Sequence, residues 1–185
     1  MRVLVTGVKG QLGYDVVNEL KKRNHEVIGM DVDEMDVTNE SVVKRVIGEA
    51  KPDAVIHCAA WTAVDAAEEQ ENAAKAMKIN ADGTKYIAEA CRETDAKMMY
   101  ISTDYVFDGQ GEEPWQPDCK AYAPLNVYGE SKLNGEKAVE ALLEKYFIVR
   151  IAWVFGKNGN NFVKTMLKLS ETHDTLRESL MIRIR

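Results

Sequence analysis

Val5-Thr-Gly-Val-Lys-Gly-Gln-Leu-Gly13 is the stretch on which the fold turns. The residues before it, Arg2–Thr6, form a short apolar run that predicts a β-strand. Those after it, Gln11–Asn24, carry Leu12, Val16, Val17 and Leu20 at helical spacing. Gly7, Gly10 and Gly13 therefore occupy a strand-to-helix turn. The first permits the sharp bend. The second lets backbone N–H groups approach an anion such as a pyrophosphate, and the third lets helix and strand pack closely. A glycine triplet alone is a weak signal, shared by any plain strand–turn–helix. Here Asp31 closes the next strand candidate, Glu26–Met30, and supplies the missing context. A carboxylate there accepts from an adenosine ribose hydroxyl and repels a 2′-phosphate, which favours NAD over NADP. Lys9, inside the turn, could help hold a phosphate.

Further along, apolar runs at Ala54–Cys58, Met98–Ser102 and Phe147–Ile151 alternate with helical patterns at Glu40–Ala50, Glu69–Glu93 and Ser131–Lys145. Asn39 before Glu40 reads as a helix N-cap. Strand–helix alternation predicts right-handed crossovers and an α/β fold, a doubly wound parallel sheet with helices on both faces. Gly109–Pro124, rich in glycine and proline, is expected to be a loop over the active site. Asn160–Ser170 predicts one more amphipathic helix, and Glu171–Arg177 a loop leading to a further strand.

The chain has 185 residues, with 24 Lys and Arg against 30 Asp and Glu, a net charge of −6. That balance argues against nucleic acid as the main partner. No apolar run is long enough to span a membrane, and the N-terminus carries no signal-peptide pattern. Cys58, Cys91 and Cys119 are odd in number and widely spaced, as expected of free thiols in a reducing cytoplasm. With His25, His57 and His173 equally scattered, no metal-ligand spacing exists and no metal is expected.

The chemistry-bearing residues come later. In Asn126-Val-Tyr-Gly-Glu-Ser-Lys-Leu-Asn-Gly-Glu136, Tyr128 and Lys132 lie four apart and share one helix face. An ammonium beside a phenol is expected to lower its pKa, so that the phenol exchanges a proton with an alcohol or ketone near neutral pH. Ile101-Ser-Thr-Asp-Tyr-Val-Phe107 closes a strand candidate, which sends Ser102, Thr103 and Asp104 toward the ligand crevice. A Thr hydroxyl there can hold a carbonyl oxygen under reduction. Cys58-Ala59-Ala60-Trp61-Thr62 ends another strand with small residues past which a nucleotide can run. Asp36-Val37 follows the second strand, where an adenine would lie. The set points to a nicotinamide-dependent oxidoreductase acting on a carbonyl.

These residues together resemble the extended short-chain dehydrogenase/reductase family, whose fold is of the Rossmann type. Ala59-Ala-Trp-Thr-Ala-Val-Asp-Ala-Ala-Glu68, Ser102-Thr-Asp-Tyr-Val-Phe-Asp-Gly109, the Tyr128–Glu136 stretch and Arg150-Ile-Ala-Trp-Val-Phe-Gly156 are similar to its dTDP-4-dehydrorhamnose reductase branch. The resemblance implies NADPH or NADH as cofactor and reduction of the 4-keto group of dTDP-4-dehydro-L-rhamnose to dTDP-L-rhamnose. Carried over by position, Tyr128 gives the proton to O4, Lys132 holds the nicotinamide ribose and tunes Tyr128, and Thr103 binds O4. Asp104 and Trp153 contact the dTDP-sugar. Gly7, Gly10, Gln11, Leu12, Gly13, Asp31, Asp36, Val37, Ala59, Ala60, Trp61, Thr62 and Ser102 line the dinucleotide, with Tyr128 and Lys132 at its nicotinamide end. A homodimer stays open.

Family members run on into another strand and a small C-terminal domain. Residues 1–177 are therefore expected to form the dinucleotide-binding domain, with 178–185 an atypical tail where the substrate domain would be. The expectation is a chain shortened at its C-terminus, with substrate binding and turnover weakened. Two other functions stay open. A nucleotide-sugar epimerase or dehydratase is the first, though a dehydratase of this kind has an acidic pair directly after its Thr, and here Tyr105 follows Asp104. The second is a non-catalytic dinucleotide-binding regulatory subunit resembling that of methionine adenosyltransferase, against which the presence of Thr103, Tyr128 and Lys132 weighs.

Overall fold

Five parallel strands carry the molecule: β1 (Arg2–Thr6), β2 (Glu26–Met30), β3 (Ala54–His57), β4 (Lys97–Thr103) and β5 (Tyr146–Ile151). They lie in the order β2-β1-β3-β4-β5, with Val3 against Val27 on one side and Ala54 on the other. The structure, a computed structural model, describes residues 1–110, 113–173 and 175. Among the described residues, six α-helices connect and flank the strands: α1 (Gln11–Lys22), α2 (Glu40–Ala50), α3 (Gln70–Met77), α4 (Gly83–Thr94), α5 (Val127–Leu142) and α6 (Phe162–Ser170). The predicted doubly wound α/β sheet is what forms.

Handedness decides which helix covers which face. The step from β1 to β2 runs one way along the sheet; the crossovers β2–β3, β3–β4 and β4–β5 run the other. Right-handed connections therefore put α1 on one face and α2, α4 and α5 on the other. The second face is packed throughout. Val43 and Ile47 of α2, Ile87 and Cys91 of α4 and Val139 of α5 meet Leu4, Val55, Met98 and Tyr100 of the sheet, all buried. On the first face only Gly13 of α1 is buried, and α6 buries none of its residues. The central strands are apolar on both sides, as a parallel sheet requires.

Local chemistry fixes the helix starts. The Asn39 side chain accepts from the Val42 N–H at 3.3 Å, as its N-cap reading expects. Asn126 does the same for α5, accepting from the Gly129 N–H at 2.7 Å. That cap starts α5 at Val127, earlier than the sequence pattern's Ser131, and places Tyr128 in the first turn. The single helix expected over Glu69–Glu93 is α3 and α4 joined by a π-turn at Lys78–Asp82.

The loop expected over the active site lies elsewhere in its described part. Phe107 stacks with Trp115, at a centroid distance of 4.5 Å, and with Tyr122, at 5.8 Å. Cys119 and Tyr122 pack on Val106, Phe107 and Leu133, so aromatic packing draws the segment onto α5. The predicted Asn160–Ser170 helix is present as α6. The strand expected after Glu171 and the 178–185 tail lie almost wholly outside the described residues. Among the described residues, no helix is long and apolar enough to cross a membrane, and no group of His, Cys, Asp and Glu is arranged to hold a metal.

Candidate active site

Strand order reverses between β1 and β3, and a cleft opens beyond their carboxyl ends, where open α/β sheets bind ligands. Its volume is about 840 Å³. The glycine turn forms one wall. Gly7 has φ +69°, and a Cβ there would stand 2.8 Å from the Ala59 nitrogen. A Cβ on Gly13 would stand 2.1 Å from the Gly7 carbonyl oxygen. α1 begins directly at Gly10, with no side chain capping its first N–H groups. Those free donors and the helix dipole suit a pyrophosphate.

Asp31 is oriented before any ligand arrives. One carboxylate oxygen accepts from the Lys9 N–H at 2.8 Å, the other from the Val32 N–H at 3.0 Å. The Lys9 ammonium turns outward to pair with Asp33. Asp33, Glu34 and Asp31 all favour its charge, with the Asp33 hydrogen bond the largest influence. Asp36 lines the cleft too, but its carboxylate already accepts from the Thr38 N–H and hydroxyl.

The other wall holds the reactive groups. Thr103 ends β4, and Tyr128 and Lys132 face it from α5. Tyr128 sits edge-on to Tyr105 at 5.7 Å. Burial pushes the Tyr128 phenol above its ordinary range, and only the Thr103 hydroxyl pulls it back down, while Asp104 and Tyr105 add to the rise. This corrects the expectation of an acidic phenol. The reason is where Lys132 points: its ammonium lies 4.2 Å from the centre of the Tyr100 ring. Lys132 is 3 % exposed, and burial lowers its pKa to about 7 against the opposing pull of Glu136 and Cys58. The Ser102 hydroxyl, 2 % exposed, has no partner among the described residues although it borders the cleft. A buried hydroxyl without a partner is rare and suits a ligand group.

Beneath these residues runs a hydrogen-bond chain. The Ala59 N–H donates to Thr6 Oγ1, and His57 Nδ1 lies 2.7 Å from the same oxygen. Thr84 donates to the Asn80 carbonyl at 2.7 Å, so its oxygen accepts from His57 Nε2–H at 3.2 Å, which leaves His57 Nδ1 to accept from the Thr6 hydroxyl. Asn80 Nδ2 donates to Ser131 Oγ at 2.9 Å, and Ser131 to the Tyr128 carbonyl at 2.7 Å. The chain joins the glycine-turn strand to the Tyr128 helix. Asn80 stands in the π-turn, which turns its amide toward Ser131 and the Trp61 backbone.

Residues 1–178 match the family model described as the RmlD substrate binding domain. The chain belongs to that family. A dTDP-4-dehydrorhamnose reductase of Streptomyces griseus is 41 % identical over 176 residues, which are 95 % of this chain and 57 % of the relative. Spore coat polysaccharide biosynthesis protein SpsK of Bacillus subtilis is 40 % identical, over 95 % of this chain and 61 % of its own length. Among solved structures, a dTDP-4-dehydrorhamnose reductase of Clostridium acetobutylicum superposes with a TM-score of 0.90 at 49 % identity, covering 95 % of this chain and 61 % of that one. One from Bacillus anthracis, in complex with NADP, gives 0.88 at 45 % identity, covering 93 % and 60 %. The chain thus spans about three-fifths of the length of the family members it matches.

Of the residues read from the sequence, Gly7, Gly10, Gln11, Leu12, Gly13, Asp31, Asp36, Val37, Ala59, Ala60, Thr62, Ser102, Thr103, Tyr128, Lys132 and Trp153 line the one cleft. Trp61 and Asp104 do not. Trp61 is drawn off by the Asn80 amide on its backbone and by its own indole bond to Ala63, and Lys75 covers its ring. Asp104 is turned to accept from the Thr103 hydroxyl at 3.0 Å. Several residues at the cleft carried no sequence signal. Lys75 and Lys78 place two cations on the lining. The β5–α6 segment folds over the glycine turn: Gln11 donates to the Val154 carbonyl at 3.1 Å, and Asn158 to the Lys9 and Gly10 carbonyls at 3.3 Å. An unusual run, Asn158-Gly-Asn-Asn161, was the only hint of that brace.

Proposed function

We propose that this chain is the dinucleotide-binding and catalytic part of an NAD(P)H-dependent reductase for the 4-keto group of a dTDP-4-dehydro-6-deoxysugar, dTDP-4-dehydro-L-rhamnose in the first instance. The observation that carries the reading is that Thr103, Tyr128 and Lys132 share one cleft with a glycine turn in which neither Gly7 nor Gly13 leaves room for a Cβ. Gly7, Gly10 and Gln11 would take the pyrophosphate, Asp31 the adenosine ribose and Lys132 the nicotinamide ribose. When bound, the reduced dinucleotide supplies a hydride.

The chain's own part is proton handling. Thr103 holds the carbonyl oxygen by turning its hydroxyl proton from Asp104 to it, and Tyr128 gives that oxygen the phenolic proton as the alcohol forms. A phenol kept protonated by burial is in the right state to act as the donor. Proton loss leaves a phenolate, which the Lys132 ammonium stabilises once ligand contacts draw it toward Tyr128. The proton is replaced from solvent. Trp153, 47 % exposed with φ +53°, offers a ring to the sugar side of the cleft. Held in the left-handed region, it fits the pattern of strained backbone at a working site.

The test is an NADH-oxidation assay with dTDP-4-dehydrorhamnose on the chain and its Tyr128→Phe variant. Removing the acid while keeping the ring should cut kcat by about 10²–10⁴-fold with dinucleotide affinity retained. A variant as fast as its parent removes Tyr128 from the mechanism.

A further inference from the structure

Glu136 lies one helical turn beyond Lys132 on α5, so the two side chains share a face. It is 1 % exposed. A carboxylate so deep needs partners, or it takes up a proton. Arg150 of β5 provides them in a two-pronged pair, its Nε donating at 2.9 Å and its Nη2 at 2.7 Å. The same guanidinium donates to the Tyr122 hydroxyl at 2.9 Å and to the Pro117 carbonyl at 3.4 Å. It also lies over the rings of Phe107 and Tyr122. Glu136 is thus fixed from the β5 side.

The neighbours of Lys132 from the other elements are neutral. β4 presents the face of Tyr100, and the end of β3 presents His57 and, just past the strand, the Cys58 thiol. Burial holds His57 neutral, with its pKa lowered to about 3, and pushes the Cys58 thiol up to about 12. Among the influences that favour the charged form of Lys132, Glu136 is the largest. Without a countercharge, an ammonium with this little contact with water gives up its proton.

We propose that Glu136 is a positioning residue: braced by Arg150, it supplies the countercharge that keeps Lys132 an ammonium in the catalytic wall. The inference deepens the reductase reading and takes its meaning from it. Its test does not depend on that reading, because it needs neither dinucleotide nor sugar.

The experiment is an NMR pH titration of the Lys132 side-chain nitrogen in the chain and in Glu136→Gln. The midpoint should fall by about one pH unit in the variant, the low end for loss of one nearby opposite charge. A merely structural role predicts the reverse: loosened packing would hydrate Lys132 and raise its midpoint. A midpoint that stays or rises overturns the proposal. Glu136→Gln leaves Arg150 without its carboxylate and could fail to fold. The paired variant Glu136→Gln with Arg150→Met leaves no unmatched buried charge, a replacement that folds tolerate. Its midpoint should also fall, by less, because the nearer of the two charges dominates. No fall in the paired variant overturns the proposal equally. If the titration behaves as expected and the Tyr128→Phe assay fails, the charge pairing stands and the reductase reading does not.

Discussion

The two ends of the cleft are built of different material. At the glycine turn the contacts are backbone, the charged groups are half or fully exposed, and the constraint is space. At the tyrosine end the backbone is ordinary helix and strand. There the charged and polar side chains are buried, with Lys132 3 % exposed and His57 and Glu136 1 % each. The constraint there is electrostatic as well as steric, since a Cβ on Gly129 would stand 2.3 Å from the Tyr105 carbonyl oxygen. The first end should therefore tolerate changes of charge and reject added atoms. The second should respond strongly to changes of charge.

The largest expected effect tests the first half of that contrast. Gly13→Ala sets a Cβ 2.1 Å from the Gly7 carbonyl oxygen and 2.7 Å from its carbon. Both are backbone atoms of the turn itself, so no side chain can swing away. Overpacking of this kind costs about 1–3 kcal/mol. Paid by the turn, it should weaken dinucleotide affinity about 10- to 100-fold in a fluorescence titration. Wild-type affinity in this variant would mean that the pyrophosphate does not use the turn.

Lys132→Met tests the second half. The unfolded chain holds the lysine proton up to its ordinary 10.5, the fold only to about 7. Between those values the unfolded state binds more protons, so stability rises with pH from about 7 to 10.5. At neutral pH and below, the wild type carries the full cost of the buried charge. Methionine removes it, and the variant should be more stable at pH 7 by about 1–3 kcal/mol, a gain that fades toward pH 10.5. The same variant should lose activity, the usual trade at a strained site. A variant less stable than its parent at pH 7 would show that Glu136 and Tyr100 more than offset burial.

His57 sharpens the same half from the acid side. Burial first, then the nearby Lys132 charge, hold its pKa at about 3 against an ordinary 6.5. The unfolded chain takes up the proton between those values and the fold does not, so wild-type stability should fall as pH drops from 6.5 toward 3. The loss should approach about 1.4 kcal/mol per pH unit within that window. His57→Gln can still hydrogen-bond to Thr6 or Thr84 without titrating. Urea melts of both proteins from pH 7 to 4 should show a shallower loss in the variant. Parallel curves would mean that His57 is hydrated and titrates freely.

The contrast also explains what was legible in the sequence. A phosphate turn needs glycines at fixed spacing between a strand and a helix, so Gly7, Gly10 and Gly13 announce themselves, and Asn39 announces a cap by its place before an apolar stripe. The spacing of Tyr128 and Lys132 also placed them in one wall. The direction of the Tyr128 pKa was not legible, because it depends on which way a lysine turns in the packed core. Tyr100, which receives the ammonium, sits on another strand and looks in sequence like any aromatic core residue. Asn80, His57 and Glu136 are single residues whose partners lie far along the chain, and a π-turn has no local signature. The Gly109–Pro124 stretch was recognisable as irregular, but its resting place was set by the stacking of Phe107, Trp115 and Tyr122.

The smallest expected effect returns to the open end. Asp31 holds two backbone N–H groups, which leaves its oxygens fixed where an adenosine ribose would meet them. Asp33 and Glu34 stand beside it, and the Lys9 cation among them is already paired with Asp33. A 2′-phosphate entering there meets net negative charge, softened by water and salt. Asp31→Ala removes the nearest of these charges and leaves Lys9 in place. The ratio of NADPH to NADH affinity should rise by roughly ten-fold at low salt, the scale of one partly screened charge contact, and the gain should shrink as ionic strength rises. Adding Lys9→Ala to that variant should take back much of the gain, because the cation left to meet the phosphate is then gone. A ratio that does not move in Asp31→Ala would mean that Asp31 does not face the ribose. A gain that survives both high salt and the loss of Lys9 would mean that the site discriminates by shape, and the distinction drawn between the two ends of the cleft would fail at its exposed end.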